Sequence, residues 1–238
     1  LLSNKFYLIF FFFFSINFEL ISFRGSDNLS IPLGTALIFS SGSLFYPEKL
    51  VFLVITIIVL AAGCYMLYHW KFLTRAGSLS AYLLGIYLFG ILGINWAIPV
   101  IFFFATSVLF TKFHSLVNKK KPTISRPRNS WQVLANSLMA IVFSAIYFWS
   151  EQSVYQLLFM ASVAAVTADT WASEIGPVFN RKCFSLATFK TSKAGISGGI
   201  SVAGSLAALL GAFSVAILSY YLFFNEINYK IILIITLS

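Results

Sequence analysis

Apolar residues fall in long blocks along this chain, separated by short polar or basic connections. Several blocks approach or exceed the ~18 residues that mark a transmembrane candidate, and a bilayer core asks for ~20 residues per helix. The pattern predicts spans at residues 5–22, 31–46, 50–68, 79–93, 95–111, 131–150, 153–176 and 197–224, and the start of another at 229–238. The second block, "LSIPLGTALIFSSGSLF", is short and interrupted by Pro32 and Gly34. The expected fold class is all-α, a polytopic transmembrane helix bundle of about seven to eight spans with short loops. The Phe-rich start, "FYLIFFFFFSINF", reads as a retained first helix, because no small-residue cleavage site follows it. The chain opens on "LLSNK" and ends inside the apolar run "IILIITLS", so a truncated C-terminal span is expected.

Composition agrees with a lipid solvent. The chain is 59% hydrophobic and only 10% charged, where a soluble domain carries about 25% charged residues. It lacks the polar surface that a water-soluble fold would need. Cys64 falls in a predicted span and Cys183 in a loop, which suggests neither a disulfide framework nor a zinc site.

The net charge of +9 is unevenly placed. Lys71 and Arg75 lie in 69–77, and Lys112, Lys119, Lys120, Lys121, Arg126 and Arg128 in 112–130. Arg181, Lys182, Lys190 and Lys193 lie in 180–193. These three loops hold no acid, while the connections "GINW" and "SEQS" hold no base. Two predicted helices separate each basic loop from the next, so all three emerge on one face. The positive-inside rule makes that face cytoplasmic. A multi-pass protein of a bacterial plasma membrane is expected, with membrane lipids as partners and no nucleic acid.

The seventh predicted span ends in "VTADTWASEIGP", residues 166–177, with two of the chain's seven acids. Asp169 stands eight residues before Pro177, about 12 Å in from the helix end. A carboxylate at such depth is costly and points by default to function; the bland alternative is a polar pair between helices. Asp169 and Glu174 are five residues apart, roughly 140° around a helix. One ion held by both requires the last turn to unwind toward Gly176; otherwise Asp169 is the ligand and Glu174 sits nearer the water.

Small residues recur at Ala161, Ala165, Ala168, Ala172 and Gly176, and again at Gly195, Gly199 and Ala203. Such rows let membrane helices approach closely, so these two helices are expected to pack. A glycine-rich turn entering a helix exposes backbone N–H groups in a positive field. With Lys190 and Lys193 upstream, Ser197, Gly198 and Gly199 suit a phosphate, the alternative being plain close packing. Facing carboxylates add a phosphate–Mg²⁺ site, since Mg²⁺ is usually held by one or two carboxylates plus substrate phosphates. Gln132 and Asn136 share a helix face near the same end, and either bond across helices or hold a ligand. Ser107 and Thr111 fall in the same layer, while His69 and His114 receive no role.

The segments "VLAN" (133–136), "AAVTADTWASEIG" (164–176) and "GISGGISVAGSLAALLGA" (195–212) resemble the transmembrane protein 19 family, also known as domain of unknown function ninety-two. The likeness covers roughly residues 70–215 and implies a variable helical part at 1–68 and a family core at 69–238. The plant branch of that family is described as a phytyl-phosphate kinase. "DTWASEIG" is also similar to the D-x-x-A-S-x-x-G segment of CTP-dependent polyprenol and phytol kinases. The resemblance implies that Asp169, Ser173, Glu174 and Gly176, with Gly198 and Gly199, form a nucleotide and metal site. Two departures stand out: Ser137 where the family tends to have Gly, and "CFSLATFKTSKAG" where it is rich in Pro, Lys and Thr.

The expected activity is therefore a kinase transferring phosphate from CTP or ATP to an isoprenoid monophosphate. Asp169 and Glu174 would hold Mg²⁺, while Lys190, Lys193 and the amides of 197–199 neutralise the transferred group. The alternatives are a transporter or flippase using Asp169 as a cation or proton site beside Gln132 and Asn136, and a membrane protein without catalysis. Polar groups collected near one face favour the enzyme, since a transport path needs them through the full depth.

Overall fold

The computed structural model describes residues 47–117, 127–179, 182–185, 190–193 and 199–238. The predicted spans at 5–22 and 31–46, together with Gly195, Ser197 and Gly198, lie outside these residues. Each of the other predicted spans contains a helix. The helices are α1 (Pro47–His69), α2 (Arg75–Gly85), α3 (Ile94–Val117), α4 (Ser130–Ser150), α5 (Ser153–Phe179), α6 (Val202–Phe224) and α7 (Tyr229–Leu237). A π-helical stretch, Ile86–Leu92, continues α2. Among the described residues, Ile94–His114, Ser130–Ser150 and Val202–Phe224 are long and apolar enough to cross a membrane. Helix α5 is longer than any of these but carries Asp169 and Glu174.

The all-α expectation needs one correction. Strands β1 (Lys182–Ser185), β2 (Lys190–Lys193) and β3 (Gly199–Ile200) form an antiparallel sheet in the order β2-β1-β3. Alternation explains β1: Cys183 and Ser185 are buried while Phe184 between them is exposed, the period-2 pattern of a half-covered strand. A second correction follows. Within the span predicted from 197, Gly199 and Ile200 form a strand, and α6 begins at Val202, where the Ser201 side chain accepts from the Gly204 N–H.

The chain divides into two compact units. In the first (1–94 and 127–133), α1 packs on α2 and the π-helical stretch. Its basic connections meet directly. The Arg128 N–H donates to the Phe72 carbonyl (2.9 Å) and the Thr74 N–H to the Arg128 carbonyl (3.0 Å). Gly77 lies beneath that carbonyl, leaving no room for a Cβ. The loops after α1 and before α4 therefore lie together, as helix parity requires.

In the second unit (95–126 and 134–238), α5 and α6 pack along their lengths and α7 lies against both. Phe159, Met160, Ala164, Val215 and Ala216 are buried. Trp96 packs on Tyr147, Phe159 and Phe223, with ring centroids 4.7 to 5.0 Å apart, tying one end of the bundle. At the other end, Thr111 and His114 of α3 contact Glu174 of α5. On α4, Trp131 and Trp149 are both exposed, 78% and 73%. Eighteen residues separate them, about 27 Å, close to a hydrocarbon core of ~30 Å. Tryptophans at both ends are the mark of interfacial anchoring.

Candidate functional site

The segment Asp169–Gly176 presents three faces to its surroundings, because successive residues turn by about 100°. The first meets α3. The Trp171 indole N–H donates to Thr106 Oγ1 (3.2 Å), and its ring packs edge-on against Phe110 at 4.7 Å. Glu174 accepts from the Thr111 hydroxyl at Oε1 (2.8 Å) and meets His114 Nδ1 at Oε2 (3.1 Å). A carboxylate only accepts, so this contact places the imidazole proton on Nδ1.

The second face meets α6. A Cβ on Gly176 would come within 3.1 Å of Ser201 Oγ and 3.3 Å of Gly204 Cα. A Cβ on Gly204 would come within 3.0 Å of the same hydroxyl and 3.3 Å of the Ala172 carbonyl. These glycines clear the space in which Ser201 caps α6. About two turns further along α6, a Cβ on Gly211 would strike the Trp171 ring at 3.0 Å. The small row thus exists and brings two backbones together, but its α6 members are Gly204 and Gly211, not Gly199 and Ala203.

The third face is open. Asp169 and Ser173 are exposed, continuing a stripe through Val154, Leu158 and Ala165. Only its last turns are polar. Among the described residues no side chain bonds to Asp169, whereas the Ser173 hydroxyl donates to the Thr170 carbonyl (3.0 Å). Ser173 lies about 4.5 Å along the helix from Gly176, and Asp169 about 10.5 Å. The open stripe therefore borders the capped start of α6 without touching it.

Of the predicted site residues, Asp169 and Ser173 come together, with Gly176 beside the start of α6. Glu174 does not join them. Helix α5 stays helical through Phe179 with Pro177 inside it, so the last turn does not unwind. Both Glu174 oxygens are engaged by α3. The two acids are separated, and among the described residues no three His, Cys, Asp or Glu side chains gather as a metal cluster. Magnesium chemistry fits Asp169 as a single carboxylate completed by substrate phosphates; the residues offer no second protein carboxylate there.

The remaining residues divide. Lys190 and Lys193 lie on β2, where Lys193 pairs in register with Lys182 and Lys190 with Ser185. Gly199 opens β3 opposite Ser185. Asn136 is exposed on α4. Gln132 has a structural partner: its N–H donates to Asn129 Oδ1 (2.9 Å) and its Oε1 accepts from the Asn129 N–H (3.1 Å). This reciprocal capping box starts α4, a local role that is neither of the two expected for Gln132.

Sequence reasoning assigned His114 nothing and left Thr111 as a hydroxyl in the right layer. The usable signal was their spacing, three residues apart on one helix face. Trp171 was passed over because its partners, Thr106 and Gly211, are distant in the chain.

Residues 54–238 match the family described as integral membrane protein DUF92. An uncharacterised membrane protein of Methanocaldococcus jannaschii is 29% identical over 177 residues, 74% of this chain and 74% of that protein. An uncharacterised membrane protein of Synechocystis is 28% identical over 159 residues, 63% of this chain and 60% of its own length. Protein PGR of Arabidopsis thaliana is 26% identical over 182 residues, 69% of this chain and 63% of its own. No solved structure matches.

Proposed function

We propose that this chain, which belongs to the DUF92 family of integral membrane proteins, is a phosphotransferase working at the cytoplasmic membrane interface. Its substrate is an isoprenoid monophosphate and its donor a nucleoside triphosphate. The observation that carries this reading is the open stripe of α5, where Asp169 and Ser173 stand exposed beside the capped start of α6. The stripe turns from apolar to polar over its last turns, as an amphiphile with its head at the surface requires. That distribution also disfavours a transport path, which needs polar groups at every depth.

In the reaction, an oxygen of the lipid phosphate attacks the γ-phosphorus of the donor. The new P–O bond forms as the bond to the β-phosphate oxygen breaks, and a nucleoside diphosphate leaves. The nucleophile is already anionic, so no general base is required. Catalysis is then mainly positioning and charge neutralisation. Asp169 provides the protein carboxylate of the cation site, and a magnesium ion bound there supplies neutralisation of the phosphate charges. Ser173 orients a phosphate oxygen. Lys190 and Lys193, carried in by β2, balance the remaining negative charge. Glu174 acts through α3, holding the α5 turn in place rather than touching substrate.

The test is an assay of protein in lipid nanodiscs with Mg²⁺, CTP or ATP, and phytyl or geranylgeranyl phosphate. Diphosphate product is expected from wild type. Asp169→Asn should insert and fold normally yet lose on the order of 10²-fold or more in rate, as removal of a preorganised charge does elsewhere. Product formation unchanged in that variant removes Asp169 from the mechanism; no product with any donor removes the reaction.

A further inference from the structure

The small sheet carries an exposed apolar pair that the phosphotransferase reading does not use. Phe184 is 43% exposed and its cross-strand partner Ile200 is 45% exposed. Cys183 and Ser185, which alternate with Phe184, are each 6% exposed. The sheet is therefore amphipathic in an inverted sense, with an aromatic and an aliphatic residue on the side away from the protein. Phe179, just before the sheet, and Val202, just after it, are also exposed, at 67% and 74%. Basic positions accompany them. Lys182 belongs to the same alternate set as Phe184, and its register partner is Lys193. Residues 180–200 contain four bases and no acid.

Depth follows from α6. That helix is 23 apolar-rich residues long, about 34 Å, enough to cross the ~30 Å hydrocarbon core. Its first residue therefore lies at the core's edge, and β3 ends two residues earlier. A face that combines apolar and cationic residues at this level matches the chemistry by which peripheral segments sit in the headgroup layer.

We propose that the β1–β3 sheet lies on the bilayer surface, seated by Phe184 and Ile200, and that the basic, acid-free segment carrying it draws it to the anionic headgroups of the leaflet that holds the protein. The sheet is an interfacial anchor that closes the α5–α6 end of the bundle against the membrane. This does not rest on the phosphotransferase reading.

Hydrogen exchange of residues 182–200 tests it, with the full chain in nanodiscs of phosphatidylcholine alone or with added phosphatidylglycerol. Exchange is expected to be about tenfold slower or more with the anionic lipid, and the difference should shrink at high ionic strength. Phe184→Ser with Ile200→Ser should abolish the difference. Where that double variant fails to fold, Lys182→Gln alone should reduce it. Asp169→Asn should leave it intact, which separates failure of this proposal from failure of the activity. Equal exchange in both lipids overturns the proposal, as does protection that these variants leave unchanged or that depends only on protein concentration, the sign of a second copy covering the face.

Discussion

The two sides of helix α5 differ in what they ask of a side chain. On the packed side, Trp171, Ala172, Glu174 and Gly176 each meet a named neighbour on α3 or α6, and shape decides which residue fits. On the open side, Asp169 and Ser173 are exposed, and among the described residues neither side chain bonds to another helix. One eight-residue motif thus holds two kinds of constraint. Packing accounts for four of its residues; the exposed acid is left for chemistry. A charged group on an otherwise apolar stripe destabilises an inserted helix, so its presence calls for a ligand, while the presence of Gly176 does not.

Substitutions can break this contrast, and thermal unfolding in detergent micelles, followed by circular dichroism, ranks them. Trp171→Ala should cost the most, about 3–5 kcal/mol, since it empties the space between Phe110, Thr106 and Gly211. Glu174→Gln should follow at roughly 1.5–3 kcal/mol, from loss of the charged partner of His114. Gly176→Val should cost about 1–3 kcal/mol by forcing the Ser201 hydroxyl and the Gly204 backbone away. Ser201→Ala, which removes the cap alone, should cost about 1 kcal/mol. Asp169→Asn should change stability least, within about 0.5 kcal/mol or in the stabilising direction, while losing activity. A large loss of stability in that last variant would erase the distinction between the two sides.

The helical elements were legible in the chain from α1 onward, with ends within a few residues, because lipid leaves a backbone few other ways to satisfy its hydrogen bonds. Inside the first unit the Arg128 bonds join residues 72–74 to 128, and inside the second the Glu174 contacts join the ends of α3 and α5. The pairing of α5 with α6 was read correctly from small residues, but with the wrong partners on α6. Gly199 looked like part of a helix start, whereas it lies in β3 and the helix waits for a capping serine at 201. The sheet escaped notice because "KCFS" and "KTSK" are too short and too polar to show a period. The capping role of Gln132 was not legible, because the reciprocal bonds of a capping box require knowing where the helix begins.

Sequence alone determined the solvent of this protein and the helical kind of its long elements. Each depends on local composition over about twenty residues, and burying a backbone in lipid is a constraint strong enough to read locally. Tertiary structure decided the fate of the two carboxylates. Their 140° separation was already in the chain, but only the placement of α3 gave Glu174 its threonine and histidine and left Asp169 open. Which face of a helix meets a neighbour is set by contacts between residues far apart in the chain, and no local pattern carries that information.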